Sequence, residues 1–157
     1  MYNKIVLLTR KNFLYQNFQL SDTFSTRIYL LFFHLSFLLI NIKDKGNYKS
    51  VSQDIFDFFI KQIEINFREL GYGDTDINKK MKQLIKLFYE ILDNVQKWES
   101  LNNESKHKLF SRFFSYNLYQ DKTTKALTNY FKKFSFFIKN IPLKSLTKGV
   151  FKFNYKD

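Results

Sequence analysis

The sequence predicts an all-α protein, a single bundle-like domain of five or six helices with no significant sheet. Three observations carry this. There is one Pro and there are four Gly in 157 residues, too few for a many-turned β architecture. Apolar residues recur at three- and four-residue steps over most of the chain. The apolar share is 45%, with 20 Phe and 10 Tyr against a single Ala, Ala126, so one core packed with rings is expected to hold the fold without staples.

The elements follow in order. Residues 3–18 predict a first amphipathic helix with Ile5, Leu8 and Phe13 inward. Leu20-Ser21-Asp22-Thr23 reads as a break followed by an N-cap, because a short oxygen-bearing side chain satisfies free amides. A second helix, Phe24 to Asp44, repeats Ile28, Leu31, Leu35, Leu38 and Ile42 and carries Phe32, Phe33, Phe37 and Ile40 on its other faces. A helix apolar all round is a central one. Gly46 stands where its C-terminal cap belongs.

The third predicted helix, Lys49 to Leu70, keeps Val51, Ile55, Phe59, Ile63, Phe67 and Leu70 on one face, and Gly71 stops it. Gly71-Tyr72-Gly73 is a tight link, with Asp74 or Thr75 expected to cap the next helix. The fourth, Thr75 to Ser100, has the cleanest pattern: Ile77, Met81, Leu84, Phe88, Ile91, Val95 and Trp98 form a bundle seam. A fifth is expected from Glu104 to Tyr119 and a sixth from Lys122 to Ile141, closed by Pro142. The domain is accordingly placed at residues 1–141. Residues 142–157 read as a basic, aromatic tail in which Phe151, Phe153 and Tyr155 alternate with Lys152, Asn154 and Lys156.

Cysteine is absent, which removes disulfides, thiolate metal sites and a Cys nucleophile. His34 and His107 have no ligand partner at i+3 or i+4, the lone Gly-x-Gly lies between helices, and no Ser, His and acid grouping appears. No catalytic residue, metal or cofactor is expected; a binding protein is. No secretory signal is visible near Lys4. The longest apolar stretch, Ile28 to Ile42, is short against the ~20 residues of a membrane span and reads as a buried helix.

Net charge is +12, which suggests an anionic partner such as ribosome or acidic lipid. Lys outnumbers Arg 22 to 4, a balance that speaks against sequence-specific nucleic-acid recognition. Lys, Phe, Ile, Asn and Tyr also share AT-rich codons, so genome composition is a competing source of the excess. The charge is asymmetric: residues 122–157 hold nine Lys and one Asp.

Three features stand out as candidate sites. Arg27, His34 and Asn41 are seven apart and drift only ~20° per step, a polar stripe on an apolar helix. The stripe is either buried hydrogen bonding to neighbouring helices or a groove wall that recognises a partner segment. Arg68, Tyr72 and Asp74 surround the Gly71–Asp74 turn, which is either plain turn chemistry or a partner-binding loop. In the sixth helix Lys122, Lys125, Lys132, Lys133 and Lys139 lie opposite the apolar sector, with Phe136 among them. That face is either a solvated surface or a contact for anionic lipid or ribosomal RNA.

Two segments resemble the ubiquinol–cytochrome c chaperone family. In Leu20 to Leu39 the resemblance rests on Asp22, Thr23, Arg27 and His34. In Phe67 to Tyr89 it rests on Arg68, Glu69, Gly71, Gly73, Asp74, Lys79, Lys80, Phe88 and Tyr89. Asn117-Leu118-Tyr119 gives a weaker echo, with Tyr116 where the family commonly has Arg; Thr26 stands where it usually has Gly. The resemblance implies a non-enzymatic assembly chaperone for ubiquinol–cytochrome c reductase that binds newly made cytochrome b. It also implies a bacterial member, since no transit-peptide pattern is visible, acting in the cytoplasm peripheral to the inner membrane. The alternative is a basic helical RNA- or ribosome-binding module without a membrane-protein client. The oligomeric state is left open.

Overall fold

A computed structural model describes residues 1–45, 49–114 and 121–155. The described residues form eight helices and no strand: α1 (Tyr2–Thr9), α2 (Asn12–Gln16), α3 (Phe24–Asp44), α4 (Lys49–Glu69), α5 (Asp74–Gln96), α6 (Asn103–Phe114), α7 (Asp121–Lys139) and α8 (Leu143–Thr147). Helix α3 is the axis of the molecule and packs against α1, α4, α5, α6 and α7.

The central place of α3 follows from its composition. Every residue from Leu30 to Leu39 is buried. By length and apolarity α3 could cross a membrane, yet 78% of its apolar window is buried inside the fold, which makes it a core helix. Thr23 starts it, its hydroxyl accepting from the Thr26 amide at 3.2 Å. Aromatic edges and faces fill the space around it: Phe33 meets Phe110 at 5.2 Å, Phe37 stacks on Phe131 at 5.4 Å, and Phe32 meets Phe88 edge-on at 5.4 Å. The expected C-terminal cap at Gly46 lies outside the described residues, as does the Asn117-Leu118-Tyr119 segment.

The α5 seam is as read from the sequence: Ile77, Met81, Phe88, Ile91, Val95 and Trp98 are buried and Leu84 is half-buried. Its cap differs. Gly73, not Asp74 or Thr75, is the N-cap, and Asp74 is the first helical residue. The first predicted helix is two. Lys11 takes an extended conformation between α1 and α2, and Tyr15 Oη donates to the Thr9 carbonyl at 2.5 Å, satisfying a group that the interruption frees.

The segment read as a tail joins the core. Leu146 of α8 is fully buried, and Phe153 enters the ring cluster with centroids 5.1–5.6 Å from Phe137, Phe134 and Tyr130. The alternation at residues 151–155 is real: Phe151, Phe153 and Tyr155 turn inward while Lys152 and Asn154 stay exposed. A ring on every second residue buries one side of an extended segment, so the basic residues between them remain at the surface.

Candidate functional site: an apolar groove beside a capped turn

The turn after α4 is a complete helix stop. Gly71 has φ +84°, a left-handed conformation that favours glycine. Its amide donates to the Arg68 carbonyl at 2.9 Å, and the Tyr72 amide donates to the Phe67 carbonyl at 3.2 Å. These two bonds define a Schellman motif, and its usual apolar contact is present as Tyr72 set edge-on against Phe67 at 5.5 Å. Arg68 ties the turn to both helices: Nη2 donates to Glu64 at 2.8 Å and Nη1 to Asp74 at 2.5 Å. Both carboxylates raise the Arg68 pKa.

Arg68 and Asp74 are thus paired across the turn, with Tyr72 between them in the chain set against Phe67. Phe67 carries the cluster onward to Phe24 at the start of α3, 5.4 Å away. There a groove of about 290 Å³ opens between α1, α3 and α4, lined on its apolar side by Tyr2, Val6, Phe24, Ile28, Leu31 and Leu70. Its lips are apolar and open, Phe24 being 47% and Leu70 65% exposed. Arg10, Arg27, Asn66 and Glu69 form the polar rim. Arg27 is held by Asp22 through two bonds of 2.7 and 2.9 Å, which lower the Asp22 pKa and raise that of Arg27.

The stripe Arg27, His34, Asn41 does not form a groove wall. Arg27 alone reaches the rim. His34 is fully buried, its Nδ1 2.6 Å from the Leu30 carbonyl and its Nε2 2.7 Å from Tyr130 Oη. A carbonyl only accepts, so Nδ1 carries the proton and Nε2 accepts from the phenol. Burial depresses the His34 pKa to about 4, partly offset by the Leu30 bond, and raises that of Tyr130. Asn41 is buried at the far end of α3. The stripe fails as a surface because an all-apolar helix is covered on every side, and its polar members are then buried with it.

The groove residues that the sequence did not single out are Tyr2, Val6, Arg10, Phe24 and Leu70. Leu70 was expected on the inward face of its helix, but it lies just past the last helical residue, where the chain turns outward. Phe24 and Leu70 lie within the two segments that carry the family resemblance, whereas Tyr2, Val6 and Arg10 lie upstream of both and gave no such signal. A second hollow, of about 300 Å³, lies at the opposite end between α3, α4 and α5, with Phe56, Phe88, Tyr89 and Leu92 in its lining. Only Tyr89 among its large apolar residues is exposed.

On α7, Lys122, Lys125, Lys132 and Lys133 are exposed, and Phe136 is 72% exposed among them. Lys139, on the same side of the helix, pairs with Glu99 at 2.8 Å, and Lys132 also acts on that carboxylate, lowering its pKa. Among the described residues no group of three metal-binding side chains occurs.

A family model described as ubiquinol-cytochrome C chaperone matches residues 16–153. The chain belongs to the ubiquinol–cytochrome c chaperone family. Its role is therefore that of an assembly chaperone, with a client protein as partner. The fold is similar to that in the crystal structure of the Cbp3 homolog from Brucella abortus, with a TM-score of 0.80 and 24% identity over 99% of this chain and 86% of that one. No curated protein shows a significant match. In this member of the family the two resembling segments, one starting α3 and one ending α4, meet through the Phe24–Phe67–Tyr72 ring contacts.

Proposed function

We propose that this family member shields an apolar segment of newly made cytochrome b in the groove between α1, α3 and α4. It does so without catalysis, at the cytoplasmic side of the inner membrane. The observation that carries the reading is a pair of exposed apolar lips, Phe24 and Leu70, over an apolar floor with arginines at the rim. Such a hollow admits roughly two large side chains of an incoming helix, spaced i and i+3 or i+4. Each lip is about half exposed, so covering it would contribute roughly half of the ~1.5–3 kcal/mol of a full side-chain burial, which suits transient rather than tight binding. The second hollow supports this reading less well, because it offers a single exposed ring. Deletion of the gene is expected to lower the amount of assembled ubiquinol–cytochrome c reductase. Unchanged reductase in the deletion strain would refute the role.

A further inference from the structure

The basic face read on α7 continues beyond that helix. The C-terminal segment runs between α7 and α1: Lys11 Nζ donates to the Phe153 carbonyl at 3.1 Å, and Lys133 Nζ lies 4.5 Å over the Tyr155 ring. On the α1 side a hollow is lined by Lys4, Leu7, Lys11 and Lys152. On the α7 side another is lined by Lys132, Lys133, Phe136 and Tyr155. Neither lining contains an acidic residue, whereas α4 and α5 carry Asp54, Asp57, Asp76 and Asp93 on their exposed sides.

This basic surface also holds exposed apolar side chains. Leu7, Phe136 and Val150 are 62%, 72% and 68% exposed. Each is flanked by lysine: Leu7 by Lys4 and Lys11 at i−3 and i+4, Phe136 by Lys132 and Lys133, and Val150 by Lys148 and Lys152. We propose that the face formed by α1, residues 148–155 and α7 docks on an anionic phospholipid bilayer, with Leu7, Val150 and Phe136 entering the interface. Lys4, Lys132, Lys148 and Lys152 are exposed beside these anchors and can keep their stems along them with their ammonium groups at headgroup level, while Lys11 and Lys133 hold the C-terminal segment in place. Two of the three anchors are aliphatic, which favours lipid over RNA, because bases stack on rings and guanidinium planes and gain little from Leu or Val. The assignment goes beyond the client groove and does not require it.

The test is co-sedimentation of the full-length protein with vesicles of phosphatidylcholine alone or mixed equally with phosphatidylglycerol, across a salt series. The protein is expected to bind the mixed vesicles, to leave the neutral ones free, and to detach as salt rises. Leu7→Ser with Phe136→Ser is expected to weaken binding about tenfold or more with helicity by circular dichroism unchanged. Lys4→Gln, Lys132→Gln and Lys152→Gln are each expected to cost about fivefold. Leu70→Ser, in the client groove, is expected to bind as the wild type does, so failure of either reading is distinguishable. Equal binding to neutral vesicles, wild-type binding by the serine variant, loss with Leu70→Ser, or displacement of the vesicles by polyuridylate would overturn the proposal.

Discussion

The imidazole of His34 and the phenol of Tyr130, 96 residues apart in the chain, share a 2.7 Å hydrogen bond and are both fully buried. The bond joins the centre of α3 to α7 and occupies the polar atoms of two otherwise apolar layers. Tyr130→Phe keeps the ring and leaves Nε2 buried without its donor. The expected cost is about 1–3 kcal/mol in urea unfolding. Adding His34→Leu should cost less than the sum of the two single changes, since the pair then leaves together. Additive effects would mean that the bond contributes nothing.

The same pair sets a pH window. His34 has its pKa lowered from 6.5 to about 4, chiefly by burial. The folded state therefore holds fewer protons than the unfolded state between these values. Its contribution is intact above pH 6.5 and is lost progressively as pH falls toward 4, to a total of about 3 kcal/mol. In His34→Leu the slope of stability against pH in this window should be shallower, by up to about 1.4 kcal/mol per pH unit. Equal slopes would place the depressed group elsewhere.

The two glycines of the turn should respond oppositely to one change. Gly71→Ser puts a side chain at φ +84° and is expected to cost about 1–2 kcal/mol, although nothing lies within 4 Å of the new Cβ. Gly73 is an N-cap with extended φ −73° and ψ 158° and open space around it. Gly73→Ser there offers a hydroxyl to the free amides of α5 and should be neutral or stabilising by a few tenths of a kcal/mol, roughly. Thermal melts of the two variants decide this.

Two phenylalanines near the C-terminus separate core from surface. Phe153→Ala removes a buried ring from the Tyr130, Phe134 and Phe137 cluster and is expected to cost about 3–5 kcal/mol. Phe136→Ala removes an exposed one and should stay within about 0.5 kcal/mol of the wild type in the absence of lipid. Similar losses would contradict the packing of the C-terminal segment.

Much of the fold was legible because period and punctuation agree. The steps Ile77, Met81, Leu84, Phe88 fix one face of α5, Thr23 marks the start of α3, and Gly71 marks a stop. The interruption at Lys11 was not legible, since it relies on Tyr15 reaching the Thr9 carbonyl, a contact between side chain and backbone rather than a pattern. The burial of residues 143–155 was hidden by their lysines, which stay outside while the alternate rings turn in. At the site, the Arg68–Asp74 turn could be read from its glycines. The groove could not, because it needs α1 beside α3 and α4. For His34 the sequence left buried hydrogen bonding and a groove wall both open, and the first holds: on a helix apolar all round, spacing shows which polar residues share a face but not whether that face is covered.

The groove between α1, α3 and α4 is proposed to hold the client. That proposal is tested most directly by isolating tagged cytochrome b from cells that produce either the wild-type chain or Phe24→Ser with Leu70→Ser, two exposed positions whose change should leave the fold intact. Wild-type chain should co-purify with cytochrome b, and the double variant should be depleted about tenfold or more while remaining equally abundant in the cell. Equal recovery of the two would show that the groove does not hold cytochrome b.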